Sequence, residues 1–318
     1  MKLKNIYADT RNMSREEWLA ARRKGIGGSD ASAIMGLNPY SSPLAVYLDK
    51  IGKAEEAETT EAMRQGTDLE QYVAERFTEE TGMKVKKVNK ILQHIDYPWM
   101  LANIDRNIVG VNAGLECKTT SPYSKVKFDE GEINPHYYWQ SMHYMAVTGA
   151  EKWYVAVLVL GKAFHVFEVK RDEAQIAALI DAEDEFWNGH VRTKTPPLPT
   201  GSDVDDEAIS ALYPQGMDGI EGEDVLEMDD REDLLNLRDF KARQRDELDA
   251  EIKEIDQELK LAMGDFQKAQ SAGWKISWTN TSTSRVDTKL LKQKYPQIAE
   301  ECMKVTAGRR FSIGKVKE

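Results

Sequence analysis

Along this chain the spacing of apolar residues switches between the helical period of about 3.6 and the strand period of two, and the switch points divide it into elements. The pattern predicts helices near residues 14–24, 29–36 and 43–52, then a longer one near 61–81 in which Leu69, Val73 and Phe77 recur as a core stripe. Strands are predicted near 84–94, 152–160 and 163–170. Between them, the runs Trp99–Val109 and Ala113–Thr120 read as a hairpin, because Gly110 and Asn112 between them are turn formers. Pro135 opens a helix to about Thr148, and another helix spans about 172–190. The expectation is a mixed α/β domain over residues 1–192, with a mixed sheet flanked by helices.

The segment 193–203, with Pro196, Pro197 and Pro199, reads as a linker to a second region at 204–318. There Leu248, Ile252, Ile255, Leu259, Met263 and Phe266 recur at intervals of 4, 3, 4, 4 and 3. Such a stripe serves equally a helix packed in its own domain or an intermolecular coiled coil. Strands are expected at Trp274–Thr279 and Arg310–Ile313, with a short helix near 287–303. The region is thus a mainly helical extension carrying a small β element.

At 318 residues, 41% hydrophobic and 31% charged, the composition is that of a soluble protein with room for two domains. No segment has membrane-span or signal-peptide character. Cys117 and Cys302 are the two cysteines, which fits a reducing cytoplasm and excludes an iron–sulfur cluster; the five histidines lack zinc spacing. Net charge is −11, which at first speaks against a nucleic-acid partner. Residues 201–270, however, hold 22 acidic against 8 basic residues, a balance of −14 that leaves +3 for everything else. A local basic groove remains compatible with that remainder.

The candidate chemistry centres on Asp105 and Glu116-Cys117-Lys118. Alternate residues of a strand share a face, so Glu116 and Lys118 point the same way, and a short hairpin brings Asp105 beside them. Hard divalent cations such as Mg²⁺ take one or two carboxylates and leave other positions to water and phosphate. Lys118 would orient a nucleophile or stabilise charge on a phosphate. An exposed strand pair with ordinary surface charges has the same spacing, so context decides. Three blocks add context. Arg22 and Ser29 flank a glycine-rich turn at a helix start, where Ser29 is expected to cap the helix and offer a hydroxyl and Arg22 to contact a terminal phosphate, or the block is a simple N-cap with solvent-facing basic residues. Glu70 lies at the border of the Leu69 stripe, leaning toward the sheet or solvated. Gln140 shares a helix side with Tyr137 and Tyr144 and would bind a phosphate, a metal-bound water or a loop.

Together these blocks resemble the YqaJ-like viral recombinase family, lambda-exonuclease-like members of the PD-(D/E)XK nuclease superfamily. The matching pieces are Trp18-x-x-x-Arg22 with Ile26-Gly27-Gly28-Ser29, Gly66-x-x-x-Glu70, Asp105 with Glu116-x-Lys118, and Tyr137-x-x-Gln140 followed by Met145–Gly149. The resemblance implies a restriction-endonuclease-like core in which Asp105, Glu116 and the Cys117 backbone carbonyl ligate Mg²⁺, with Mn²⁺ able to substitute. Lys118 would assist the nucleophile, Glu70 and Gln140 would support the site, and Arg22 and Ser29 would engage a DNA 5′-phosphate. It further implies a 5′-to-3′ exonuclease acting on double-stranded DNA ends in phage or prophage recombination, leaving 3′ tails for a single-strand annealing protein, and working as a ring-shaped homo-oligomer. A structure-specific or restriction-like endonuclease on the same core, and a non-catalytic recombination scaffold, are the rival readings.

Overall fold

A computed structural model describes residues 4–54, 59–124, 128, 131–214, 226–304 and 309–315. The chain forms two units, Met1–Pro214 and Gln215–Glu318. The first opens with β1 (Ile6–Asp9) and the helices α1 (Arg15–Arg22), α2 (Gly28–Ile34), α3 (Pro43–Lys50) and α4 (Glu61–Thr81). Ser14 caps α1 in a reciprocal box with Glu17, and Ser42 and Thr60 cap α3 and α4. Then follow β2 (Val85–Lys87), β3 (Lys90–Gln93), β4 (Leu101–Asn103), β5 (Arg106–Ile108) and β6 (Ala113–Thr120). The helix α5 (Pro135–Thr148) leads into β7 (Lys152–Val159) and β8 (Ala163–Lys170). Last come α6 (Glu173–Asp184), continued by a π-helical stretch Glu185–Val191, and α7 (Asp203–Leu212).

The strands form a five-stranded sheet, β2-β5-β6-β7-β8, and a three-stranded one, β1-β3-β4. In the larger sheet only β6 and β7 run parallel, because α5 carries the chain back over one face between them. Period two then sorts the side chains. Leu115, Tyr154 and Ala156 face α4, whose Val73 and Phe77 complete that core layer. Trp153, Val155 and Val157 turn to the other face and join Met142 and Met145 of α5 with residues of α2, α3 and α6. Glu116 lies in register with Val155 and Lys118 with Val157. Both therefore project to the α5 side, beneath that helix's polar residues.

The expected hairpin is shorter than its sequence suggests. Trp99–Val109 is not one strand: β4 pairs with β3 in the small sheet, β5 pairs with β2 and β6 in the large one, and the chain crosses between them at Ile104 and Asp105. The run 84–94 divides likewise into β2 and β3, one in each sheet. Buried Leu101, Ala102 and Ile104 on one side of the crossing and Ile108 on the other explain an apolar run that reads as continuous.

The proline-rich segment does not close the first unit. Asp205 accepts the Thr200 backbone N–H and hydroxyl, both at 2.6 Å, Ala208 is buried, and α7 packs on α3. The division falls after Pro214 rather than at 193–203. In the second unit the described elements are a 3-10 turn Asp229–Arg231, α8 (Glu232–Met263), the hairpin β9 (Lys268–Ser271) and β10 (Trp274–Ser277), α9 (Thr288–Lys294) and α10 (Pro296–Glu301). Phe266 lies beyond the end of α8, and Arg310–Ile313 is not a strand.

Candidate active site

The crossing between sheets is what brings the two carboxylates together. Asp105 sits in it, and its Oδ2 accepts the Cys117 backbone N–H at 2.8 Å, which sets it against the middle of β6. Glu116 is 5% exposed, and its Oε1 accepts from Lys118 Nζ at 2.8 Å and from Gln140 Nε2 at 2.7 Å. Its Oε2 is buried without a hydrogen-bond partner among the described residues. A buried carboxylate oxygen left open is costly, and a cation is one way to satisfy it. Burial, then the charge of Glu116, pushes Asp105 up to about 8. Burial works against the Lys118 ammonium, but Glu116 and Asp105 outweigh it and hold its pKa above the ordinary value.

Gln140 stands one turn before Tyr144, and its amide donates to the Tyr144 hydroxyl at 2.8 Å as well as to Glu116. Lys118 Nζ lies 5.4 Å from the centre of the Tyr137 ring, a cation–π contact. Tyr144 in turn presses on Gly28: a Cβ there would meet its ring at 2.5 Å, so glycine alone lets α2 approach. Opposite the carboxylates, Arg22 Nη2 donates to Ser29 Oγ at 2.9 Å while its guanidinium rests 4.7 Å over Trp18. All of these but Tyr137, with the two carboxylates, Gly27 and Asn103, line one cleft of about 260 Å³.

Ser29 is not the helix cap. Gly27 occupies that position, and Asp30 reaches back to accept its N–H at 2.8 Å while pairing with buried Lys50 at 2.6 Å. The Ser29 hydroxyl is left to the cleft side, where Arg22 finds it. Burial opposes the charge on Asp30, but Lys50 and Arg22 hold its carboxyl below the ordinary range.

Glu70 does not line the cleft. Its carboxylate is bound by the Arg106 guanidinium and lies 3.5 Å from Lys87. Arg106 is 2% exposed and also donates to the Asp105 carbonyl at 3.0 Å and to Gln71 Oε1 at 3.2 Å. Glu70 therefore reaches the site through Arg106 and the Asp105 main chain. Sequence reasoning passed over Arg106, although an arginine two residues from Ile104 and from Ile108, at an inward strand position, signals a buried charge in need of partners. It also left out Tyr144 and Asn103 as cleft residues; the Gln140-to-Tyr144 spacing of four carried the first.

Among the described residues no three His, Cys, Asp or Glu side chains cluster as a ready metal cage. The donor set is two carboxylates, one with an open oxygen, which suits a hard divalent cation that keeps waters and takes substrate phosphate as further ligands.

Asp105 at a crossing, Glu116 and Lys118 on the adjoining strand of a mixed sheet and helices on both of its faces make a mixed α/β domain with two carboxylates and a lysine at one cleft. The YqaJ-like viral recombinase domain matches residues 17–151, and the chain is 38% identical over 316 residues to the YqaJ protein of Bacillus subtilis, covering 98% of each. The chain belongs to that family. Among solved structures it is similar to an alkaline exonuclease from Laribacter hongkongensis, at 20% identity and a TM-score of 0.48, over 62% of this chain and 100% of the other. It is also similar to a phage related exonuclease from Haemophilus somnus, at 11% identity and 0.42, over 54% and 96%.

Proposed function

We propose that the protein is a metal-dependent 5′-to-3′ exonuclease of double-stranded DNA ends in phage or prophage recombination. The observation that carries this reading is the convergence of Asp105, Glu116 and Lys118 on a cleft whose other wall is Arg22 and Ser29. Held by Asp105, Glu116 and the Cys117 carbonyl, Mg²⁺, or Mn²⁺ in its place, would supply Lewis-acid charge to the scissile phosphate and acidify a water. Lys118, kept charged by its two carboxylate neighbours, orients the attacking water and offsets charge growing on the phosphate. Gln140 fixes the rotamer of Glu116. Glu70, through Arg106, steadies the main chain at Asp105. Arg22 and Ser29 hold the 5′-phosphate of the end being shortened, a charge-assisted contact.

The reading extends to 3′ single-stranded tails as product, a single-strand annealing protein as their recipient, a ring-shaped homo-oligomer as the working form and the bacterial cytoplasm as its place. No described helix is long and apolar enough to cross a membrane. The test is linear duplex labelled at its 5′ or its 3′ end, beside covalently closed circles, with Mg²⁺ or with EDTA. Early loss of the 5′ label from linear DNA, intact circles and no loss in EDTA are expected. Cut circles would make the protein an endonuclease, and digestion unaffected by EDTA would remove the metal site.

A further inference from the structure

The helix α8 buries only Met263 of its 32 residues. Leu234, Leu237, Leu248, Ile252, Ile255 and Leu259 are each 42–61% exposed. At about 100° per residue all six fall within roughly 40° of the direction of Leu248, a stripe about 38 Å long that Lys241 and Gln244 interrupt between Leu237 and Leu248. Nothing described in its own unit covers it. Its length and narrowness are those of a coiled-coil seam, not of a face that meets a sheet.

The charges beside the stripe say what fits it. One flank carries Arg238, Arg245, Asp249 and Asp256; the other carries Glu247, Glu251 and Glu258. In a parallel pair each flank meets the opposite flank, so Asp249 falls between Glu247 and Glu251 of the second copy and Asp256 falls beside its Glu258. In an antiparallel pair related by a two-fold axis near Leu248, each flank meets itself. Arg245 then meets Asp249 of the second copy, and Arg238 meets its Asp256, each twice. An axis between residues 247 and 248 also sets Leu237 beside Leu259 of the second copy, and Ile252 and Ile255 beside its Gln244 and Lys241. Within one chain, among the described residues, Arg245 bonds its exposed neighbour Asp246 at 2.6 Å and feels the charge of Asp249 one turn on, so no buried bond holds it back.

We infer that α8 is a self-association element, pairing antiparallel with α8 of a second copy of this chain. A two-fold helix pair is separate from closure of a ring by the first unit, and it stands whether or not the nuclease reading does. A closed two-fold contact also hides the stripe completely, so it does not propagate into fibres.

The test uses the full chain in sedimentation equilibrium across the micromolar range. Leu248→Glu with Ile252→Glu, both at exposed positions, is expected to halve the mass of the particle. Arg245→Asp alone and Asp249→Arg alone should each raise the dissociation constant roughly tenfold, because two like-charge contacts replace two opposite ones. The double variant Arg245→Asp/Asp249→Arg should restore it. Equal masses for the natural chain and the Leu248/Ile252 variant would overturn the inference, whether α8 then packs within its own chain or on a basic partner protein. Tighter association of Asp249→Arg would overturn it too, since only a parallel pair gains from that change.

Discussion

Replacing Arg106 by methionine keeps a long unbranched side chain in place and removes the guanidinium that joins Glu70, Gln71 and the Asp105 carbonyl. Breaking a buried ion pair by deleting one partner costs about 3–5 kcal/mol when the remaining charge is stranded. Glu70 keeps 26% side-chain exposure and Lys87 at 3.5 Å, which places the loss at the low end. The Asp105 carbonyl loses a hydrogen bond worth about 1 kcal/mol more. A total near 4 kcal/mol lowers the melting temperature of a domain this size by roughly 8–16 °C. Glu70→Gln, which can still accept from Arg106, should cost far less. The double variant should fall short of the sum by about 1–3 kcal/mol, since the two side chains touch. Calorimetry of the four proteins gives this cycle directly. A fall of less than about 2 °C for Arg106→Met, or strict additivity with Glu70→Gln, would refute the view that Glu70 works through Arg106. Wild-type stability with lost cleavage in Glu70→Gln would return Glu70 to the chemistry itself.

Asp105→Asn should abolish cleavage and also the rise in melting temperature that Mg²⁺ produces, a rise worth about 2.7 kcal/mol at a hundredfold excess over the dissociation constant; an undiminished shift would place the ion elsewhere. Arg22→Ala should slow 5′-phosphorylated ends more than 5′-hydroxyl ends, and equal slowing would give Arg22 a role in general affinity only. His136 is held down to about 4 by burial and then by the Lys118 charge, so the unfolded chain binds the extra proton between that value and the ordinary 6.5. Stability should therefore rise with pH across that window and be lost as pH falls through it; His136→Gln should flatten the slope in pH-dependent melts, and an unchanged slope would assign it to other groups. A chain ending at Pro214 should melt cooperatively and keep its activity, whereas one ending at Thr200 strips α7 from α3, loses the Asp205 bonds and should aggregate.

Much of the site was legible because its chemistry obeys local rules. Glu116 and Lys118 share a face by the period of a strand, and Gln140 and Tyr144 share one by the period of a helix, so each pair follows from spacing alone. The helix α4 was readable from the stripe of Leu69, Val73 and Phe77, and α5 from Pro135 at its start. What stayed hidden depends on pairing between distant segments. Which distant strands the two halves of Trp99–Val109 pair with, not their own residues, makes Ile104 and Asp105 the passage between two sheets. The bond from Asp30 to Gly27 displaced Ser29 as cap because Lys50, twenty residues on, draws the carboxylate inward. The second boundary failed for a similar reason: Pro196, Pro197 and Pro199 do mark an irregular stretch, but α7 beyond it returns to the first core.

Ile26 donates its N–H to the Trp99 carbonyl at 2.7 Å and accepts the Leu101 N–H at 2.8 Å, a lone parallel bridge made possible because Gly25 has no Cβ to strike that carbonyl. One wall of the cleft includes Gly27, Gly28 and Ser29 just after Ile26, and the other includes Asn103 and Asp105 just after Leu101. The gauge of the cleft is thus set by peptide groups, which nearly every substitution leaves in place. Gly28 apart, whose lack of a Cβ admits Tyr144, residues on either wall can be exchanged without altering how far apart the walls stand, so this architecture is free to change what it grips while keeping where it acts.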